Sequence, residues 1–243
     1  LQAVTHRTEV AEGVHRLGTE WVNWYLVDDG GLTVVDSGFP RYFEQLRALL
    51  ASMGRALADV DAVVLTHYHS DHMGSAERIR KEGGATVYAP EGDAAGVRGD
   101  AKVPLPKGLM SNIWRPMMLR YVRHALANGG AKAAPVGEVR TYADGDVLDV
   151  PGRLRVIHTP DHTGGHYSLV HDGRGVLLAG DALATMSVTS DRMGAQLPPA
   201  DEDAAQARAS LSRLEGVAAE ILLCGHGEPY RGTIAGAMEQ ARS

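Results

Sequence analysis

Cysteine is nearly absent from this 243-residue chain: Cys224 stands alone, so neither an intrachain disulfide framework nor a thiolate metal cluster can be built. A small apolar residue placed after Ile221-Leu222-Leu223 reads as core and not as a nucleophile. Basic runs are also missing, and 24 Lys and Arg against 30 Asp and Glu give a net charge of -6. That balance disfavours a nucleic-acid partner, which needs a basic footprint. No apolar run reaches the roughly 18 residues that a membrane span requires, and Leu1 to Val10 lack a basic start followed by an apolar stretch. The expectation is a protein of the cytoplasm, with no membrane partner. Apolar residues at 44% and charged residues at 22% are ordinary globular usage, which excludes disorder and fibrous architectures.

What is present is a series of short β-rich runs ending in polar, metal-competent residues. Val22 to Val27 and Leu32 to Asp36 flank Asp28-Asp29-Gly30-Gly31, the composition of a tight hairpin turn. Tyr42, Phe43, Leu46, Leu49 and Leu50 recur at helical spacing and Gly54 supplies a stop. Ala62-Val63-Val64-Leu65 then reads as a strand buried on both faces, leading directly into Thr66-His67-Tyr68-His69-Ser70-Asp71-His72. The second half follows a similar plan. Tyr167 to Val170 and Val176 to Ala179 read as another hairpin ending in Gly180-Asp181, and Ile221 to Cys224 as a last strand opening into Gly225-His226-Gly227. One domain over residues 1–243 is expected. Two stretches fit the plan less simply: about 103–135, with Pro104, Pro106, Pro116 and Pro135 around a helical pattern, and 183–199. Both are candidate lid segments.

Three imidazoles and a carboxylate within six residues, from His67 to His72, point to a divalent cation. Protonated histidines so crowded would repel one another, whereas neutral imidazoles and a carboxylate can share an ion. Further ligands are expected at other strand ends, and His162 in a turn-rich loop, Asp181 and His226 supply them.

In this order and spacing the residues resemble the metallo-β-lactamase superfamily over nearly the whole chain, with the glyoxalase II and lactonase branch the nearest in kind. The resemblance implies an α/β fold, a four-layer αββα sandwich with the metal site at one edge. It assigns His67, His69 and His162 to a first metal ion, Asp71, His72 and His226 to a second, and Asp181 to both. It implies two zinc ions, with iron or manganese as substitutes. Asp71 and Asp36 are the candidate catalytic carboxylates: Asp71 to receive the proton, Asp36 to orient a ligand. His166 reads as a neighbour that positions the His162 loop, and His158 as structural.

The implied function is a dinuclear hydrolase that uses a metal-bridging hydroxide to cleave an ester, thioester or lactone bond of a small acyl substrate. Alternatives are a mononuclear iron persulfide dioxygenase on His67, His69 and His162, a β-lactam hydrolase, and, least favoured, a non-catalytic metal-binding module. A β-lactamase binds its substrate's carboxylate with a cation near the last ligand, for which only Arg231 offers itself. Lactonases carry a tyrosine downstream of the bridging aspartate, where this chain reads Ala182-Leu183-Ala184-Thr185-Met186. Trp21, Trp24, Trp114, Met117 and Met118 are candidates for the mouth of the site.

Overall fold

The computed structural model describes residues 8–102, 112–160, 162–189, 192–198 and 204–242. Two sheets carry the fold. The first runs β1 (Thr8–Ala11), β2 (Val14–Gly18), β3 (Asn23–Asp28), β4 (Leu32–Val35), β5 (Val60–Val64), β6 (Thr86–Pro90), β7 (Arg140–Tyr142), in that spatial order. Its first four strands pair antiparallel and its last four parallel. The second contains β8 (Arg155–His158), β9 (Tyr167–His171), β10 (Val176–Gly180) and, beyond a separate ribbon of β11 (Ala184–Met186) with β12 (Met193–Gln196), the strands β13 (Ile221–Cys224) and β14 (Tyr230–Arg231). Its order is β14-β13-β10-β9-β8, and β10 and β13 are its parallel pair.

The layers follow from the two-residue period of the strands. On β5, Ala62 and Val64 turn into one apolar cluster while Val63, with Leu65 just beyond the strand, turns into another. On β10, Val176 and Leu178 face the cluster that Val64 enters, whereas Leu177 and Ala179 face away. That shared cluster, with Val27, Val35, Leu169 and Leu223, is therefore the seam between the sheets.

The outer faces are covered by helices. α1 (Phe43–Ser52) buries Phe43, Leu46, Leu49 and Leu50 against the first sheet. After the one-turn α2 (Ser70–Met73), α3 (Ala76–Gly83) adds Ile79. α4 (Ala94–Val97) and α5 (Pro116–Ala127) follow, the latter started by a proline at a position where the missing N–H costs nothing. α6 (Ala204–Leu211) and α7 (Ile234–Arg242) cover the second sheet through Leu211, Ile234, Ala237 and Met238. The result is the expected αββα sandwich.

Both expected hairpins are present, β3–β4 with Asp28 opposite Leu32 and β9–β10 with Val176 opposite His171. The β1–β2 hairpin, β6 and the β11–β12 ribbon carried no comparable signal. Of the expected lid segments, residues 103–111, 190–191 and 199 lie outside the described residues; α5 lies in the remainder of the first and the ribbon in the remainder of the second. Cys224 is fully buried, and burial pushes its thiol well above the ordinary range. No described helix is long and apolar enough to cross a membrane.

Candidate metal centre

The seven candidate ligands converge because their strands stop at the same edge. Asp36 follows β4, His67 to His72 follow β5, Asp181 follows β10 and His226 follows β13, while His162 lies between β8 and β9. β4 and β5, like β10 and β13, run parallel, so their carboxyl ends open side by side. Hydrogen bonds between the sheets lock this edge: the Tyr25 hydroxyl donates to the Cys224 carbonyl at 2.7 Å, Asn23 N to Gly225 O at 2.8 Å, and Tyr167 N to Thr66 O at 3.1 Å.

Two clusters result. Nδ1 of His69 lies 3.1 Å from Nε2 of His67 and 2.8 Å from Nε2 of His162. Asp71, His72 and His226 form the second cluster, with His226 Nε2 3.7 Å from Asp71 Oδ2. Oδ2 of Asp181 joins them, 3.2 Å from Nε2 of His162, 3.2 Å from Nε2 of His226 and 3.5 Å from Nε2 of His72. Within each cluster the available ligand atoms lie no more than 4.8 Å apart, and a third grouping of His67, His72 and Asp181 meets the same limit.

The donor set fits divalent ions on two grounds. Buried polar atoms normally find a hydrogen bond, yet His72 Nε2, 3.5 Å from Asp181 Oδ2 in this centre, makes none, and Asp181 Oδ1 is also unpaired. Neutral imidazole nitrogens with carboxylate oxygens are moreover the ligands that zinc, iron and manganese accept.

Electrostatics divide the clusters. Burial, reinforced by the neighbouring imidazoles, holds His67 well below the ordinary histidine range and His69 at about 3, so both are neutral near pH 7. Burial would depress His72 and His226 too, but Asp181 with Asp36 and Asp71 raises His72 well above its ordinary value, and Asp181 with Asp71 raises His226 to about 9. Asp71 and Asp181 are correspondingly lowered against the opposing effect of burial, Asp71 chiefly by His72 and Asp181 chiefly by His226.

Surrounding residues fix the rings. Asp36 adopts a left-handed backbone (φ 58°), uncommon for a residue other than glycine. From there its Oδ1 accepts from Thr66 N at 2.8 Å and its Oδ2 lies 2.8 Å from His72 Nδ1, leaving Nε2 of His72 to face the clusters. Thr66 Oγ1, 3.0 Å from His67 Nδ1, does the same for His67, and Trp21 O, 2.7 Å from His226 Nδ1, for His226. His166 is buried beneath the site and its Nε2 accepts from the backbone N of Asp181 at 2.9 Å. His158 Nε2 lies 3.1 Å from Gly164 O and its ring packs against Tyr167. Asp161, beside His162, lies outside the described residues.

Two neighbours escaped the sequence reading. Tyr121 belonged to the helical pattern of α5, but nothing in its spacing shows that its hydroxyl donates to Asp71 Oδ2 at 2.7 Å. Asp93 ends a short turn after β6. Its Oδ2 accepts from Thr163 Oγ1 at 2.6 Å and its Oδ1 from Gly165 N at 3.1 Å, and the backbone N–H of Tyr68 also reaches it. One buried carboxylate thus ties the segment between His67 and His69 to the loop carrying His162. Asp93→Ala is expected to weaken metal retention about 10- to 100-fold, the range for outer partners of metal ligands, with Asp93→Asn falling between. Metal content after dialysis against graded chelator checks this, and unchanged retention in the alanine variant would refute it.

The aromatic mouth is corrected. Trp24 is fully buried in the core, Trp21 nearly so, and Trp114 is 70% exposed. Met117 packs on the core from one side, and of the five only Met118 lines the cavity beside the clusters.

Sandwich, edge and clustered donors together define a metal-dependent hydrolase, and comparison with known proteins agrees. The chain belongs to the metallo-beta-lactamase superfamily, whose family model matches residues 18–226. It is 30% identical over 242 residues to the probable metallo-hydrolase YflN of Bacillus subtilis (strain 168), covering 92% of this chain and 87% of that one. It is 29% identical over 188 residues to the hydroxyacylglutathione hydrolase of Thiobacillus denitrificans, covering 72% of this chain and 56% of the other. Among solved structures, a metallo-beta-lactamase family protein from Thermus thermophilus is similar with a TM-score of 0.69 at 27% identity, over 96% of this chain and 79% of that one.

Proposed function

We propose that this enzyme hydrolyses an ester, thioester or lactone bond of a small acyl substrate with two divalent ions, zinc first among them. His67, His69 and His162 would hold one ion, Asp71, His72 and His226 the other, and Asp181 both. The observation that carries this reading is the position of Asp181 Oδ2, within 3.5 Å of imidazoles from both clusters. When bound, such ions supply a water acidified toward a pKa of about 7 and a Lewis acid for a carbonyl oxygen.

The remaining work falls to the chain. Asp71, ionised at neutral pH and at the cavity wall, is the group that receives and passes on a proton. Tyr121 holds its Oδ2 in place by donating to it, and Asp36 holds His72. α5 places Met118, Tyr121 and Val122 at the wall of the cavity beside the centre. The mononuclear dioxygenase reading would leave Asp71, His72 and His226 without a purpose. For β-lactam hydrolysis, Arg231 is a poor cation: its guanidinium donates to Val10 O at 2.9 Å and it does not line the cavity.

The test is a panel of aryl ester, acyl thioester, homoserine lactone and cephalosporin, with metal analysis of the same preparation. Close to two ions per chain and turnover of the first three ahead of the cephalosporin are expected, all lost to chelator and restored by zinc. Dominant cephalosporin turnover would overturn the substrate ranking. Chelator-resistant turnover by metal-free protein would overturn the reaction class.

A further inference from the structure

A cavity of about 600 Å³ opens beside the clusters, within the usual size of small-molecule sites. Its chemistry is sharply divided. His69, Asp71, His162, Asp181 and His226 form one end, with Tyr121 beside them. The rest of the described wall is largely apolar, with Met73, Met118, Val122, Leu126, Met186 and Val188, and Tyr68, Ser70 and Thr189 contribute its hydroxyls. Gly96, Gly99, Gly130, Ala131 and Ala133 add little side chain, which keeps the interior open.

Among the described lining residues there is no lysine or arginine, and the only acids are Asp71 and Asp181 at the polar end. Arg120 and Arg123 of α5 are exposed and do not line the cavity. Away from the polar end, a substrate carboxylate would lose its water and find no lysine or arginine among the described lining residues, a cost of several kcal/mol in general. An alkyl chain would exchange water for methyl and thioether groups along its length.

We infer that this cavity receives the acyl chain of an uncharged substrate, an aliphatic chain of medium length whose carbonyl lies at the His69, His162 and Asp181 end. The assignment rests on the hydrolase reading above and narrows it. It separates this enzyme's substrates from acyl compounds that carry carboxylates, although one relative bears the name hydroxyacylglutathione hydrolase. α5 supplies the specificity residues, chiefly Met118 and Val122.

Metal-loaded protein is assayed on uncharged aryl esters from acetyl to decanoyl. The value of kcat/KM is expected to rise about two- to fourfold per methylene until the cavity is filled, the upper figure being the full burial of each CH2. A carboxylate at the chain's far end should lower it by about tenfold or more. Val122→Phe and Ala133→Phe, each placing a ring in the cavity, should lower octanoyl turnover about tenfold more than acetyl turnover, with metal content within about twofold of the parent. Binding is read separately with octan-2-one, which has a carbonyl and a chain but no bond to hydrolyse. It should bind at least about tenfold more tightly than acetone, and lose that advantage in Val122→Phe.

A flat chain-length profile with chelator-sensitive acetyl turnover, or preference for the carboxylate-ended chain, overturns the cavity assignment and leaves the hydrolase reading standing. Chain-dependent ketone binding without hydrolysis of any ester does the reverse. Equal binding of the two ketones also overturns the cavity assignment.

Discussion

Asp181→Ala is expected to lower kcat/KM by at least about 10³-fold and to strip metal from both clusters at once, beyond the 10- to 100-fold that outer-sphere changes cost. The carboxylate has no substitute: its Oδ2 lies 3.2 Å from His162 of the first cluster and 3.2 Å from His226 of the second. His67→Ala should act more locally, since the His67 ring belongs to the first trio and reaches the second only through the grouping with His72 and Asp181. Metal per chain by mass spectrometry, beside the rate, separates the two variants.

A second readout needs no activity. In the metal-free protein burial pushes His226 down, but Asp181 and Asp71 outweigh it and raise it to about 9. Removing Asp181 therefore lowers His226, so its imidazole gives up its proton at a lower pH, visible in an NMR titration. Retention of two ions and near-native turnover by Asp181→Ala would end the case for a shared ligand.

How much of this could be read from the chain depended on distance along it. Local periodicity exposed β5, the two hairpins and α1, because a strand's two faces and a helix's turns are written in neighbouring residues. The donors of the site were legible for a related reason: His67 to His72 crowd one loop, and Asp181 and His226 follow short apolar strands. β6 and the β11–β12 ribbon were not, being short and defined by pairing with strands far away. Tyr121 was visible only as one more apolar-stripe residue of a helix. Its contact with Asp71, fifty residues earlier, is a product of packing. The tryptophans misled for the complementary reason, since bulk and apolarity suit a cavity wall and a core equally, and Trp24 went to the core.

Gly225→Ala is expected to abolish metal binding and turnover while all seven candidate ligands remain. A Cβ at this position would collide with Asp181 Oδ1 and stand 2.5 Å from Cε1 of His72, closer than side chains tolerate. Nor can the backbone withdraw. Gly225 N donates to Gly180 O at 2.8 Å, and Gly225 O accepts from Asn23 N at 2.8 Å, so the residue is clamped between the two sheets. Gly180 is itself held, in a left-handed conformation (φ 53°) with His166 and Thr66 where its Cβ would stand. The strain must then be relieved by turning Asp181 or His72 away, and both are buried with little room to settle elsewhere. Metal analysis of the folded variant, its fold checked by circular dichroism and thermal melting, is the measurement. A folded Gly225→Ala protein with two ions and full turnover would show that the close approach of this backbone to the ligands is incidental to how they are held.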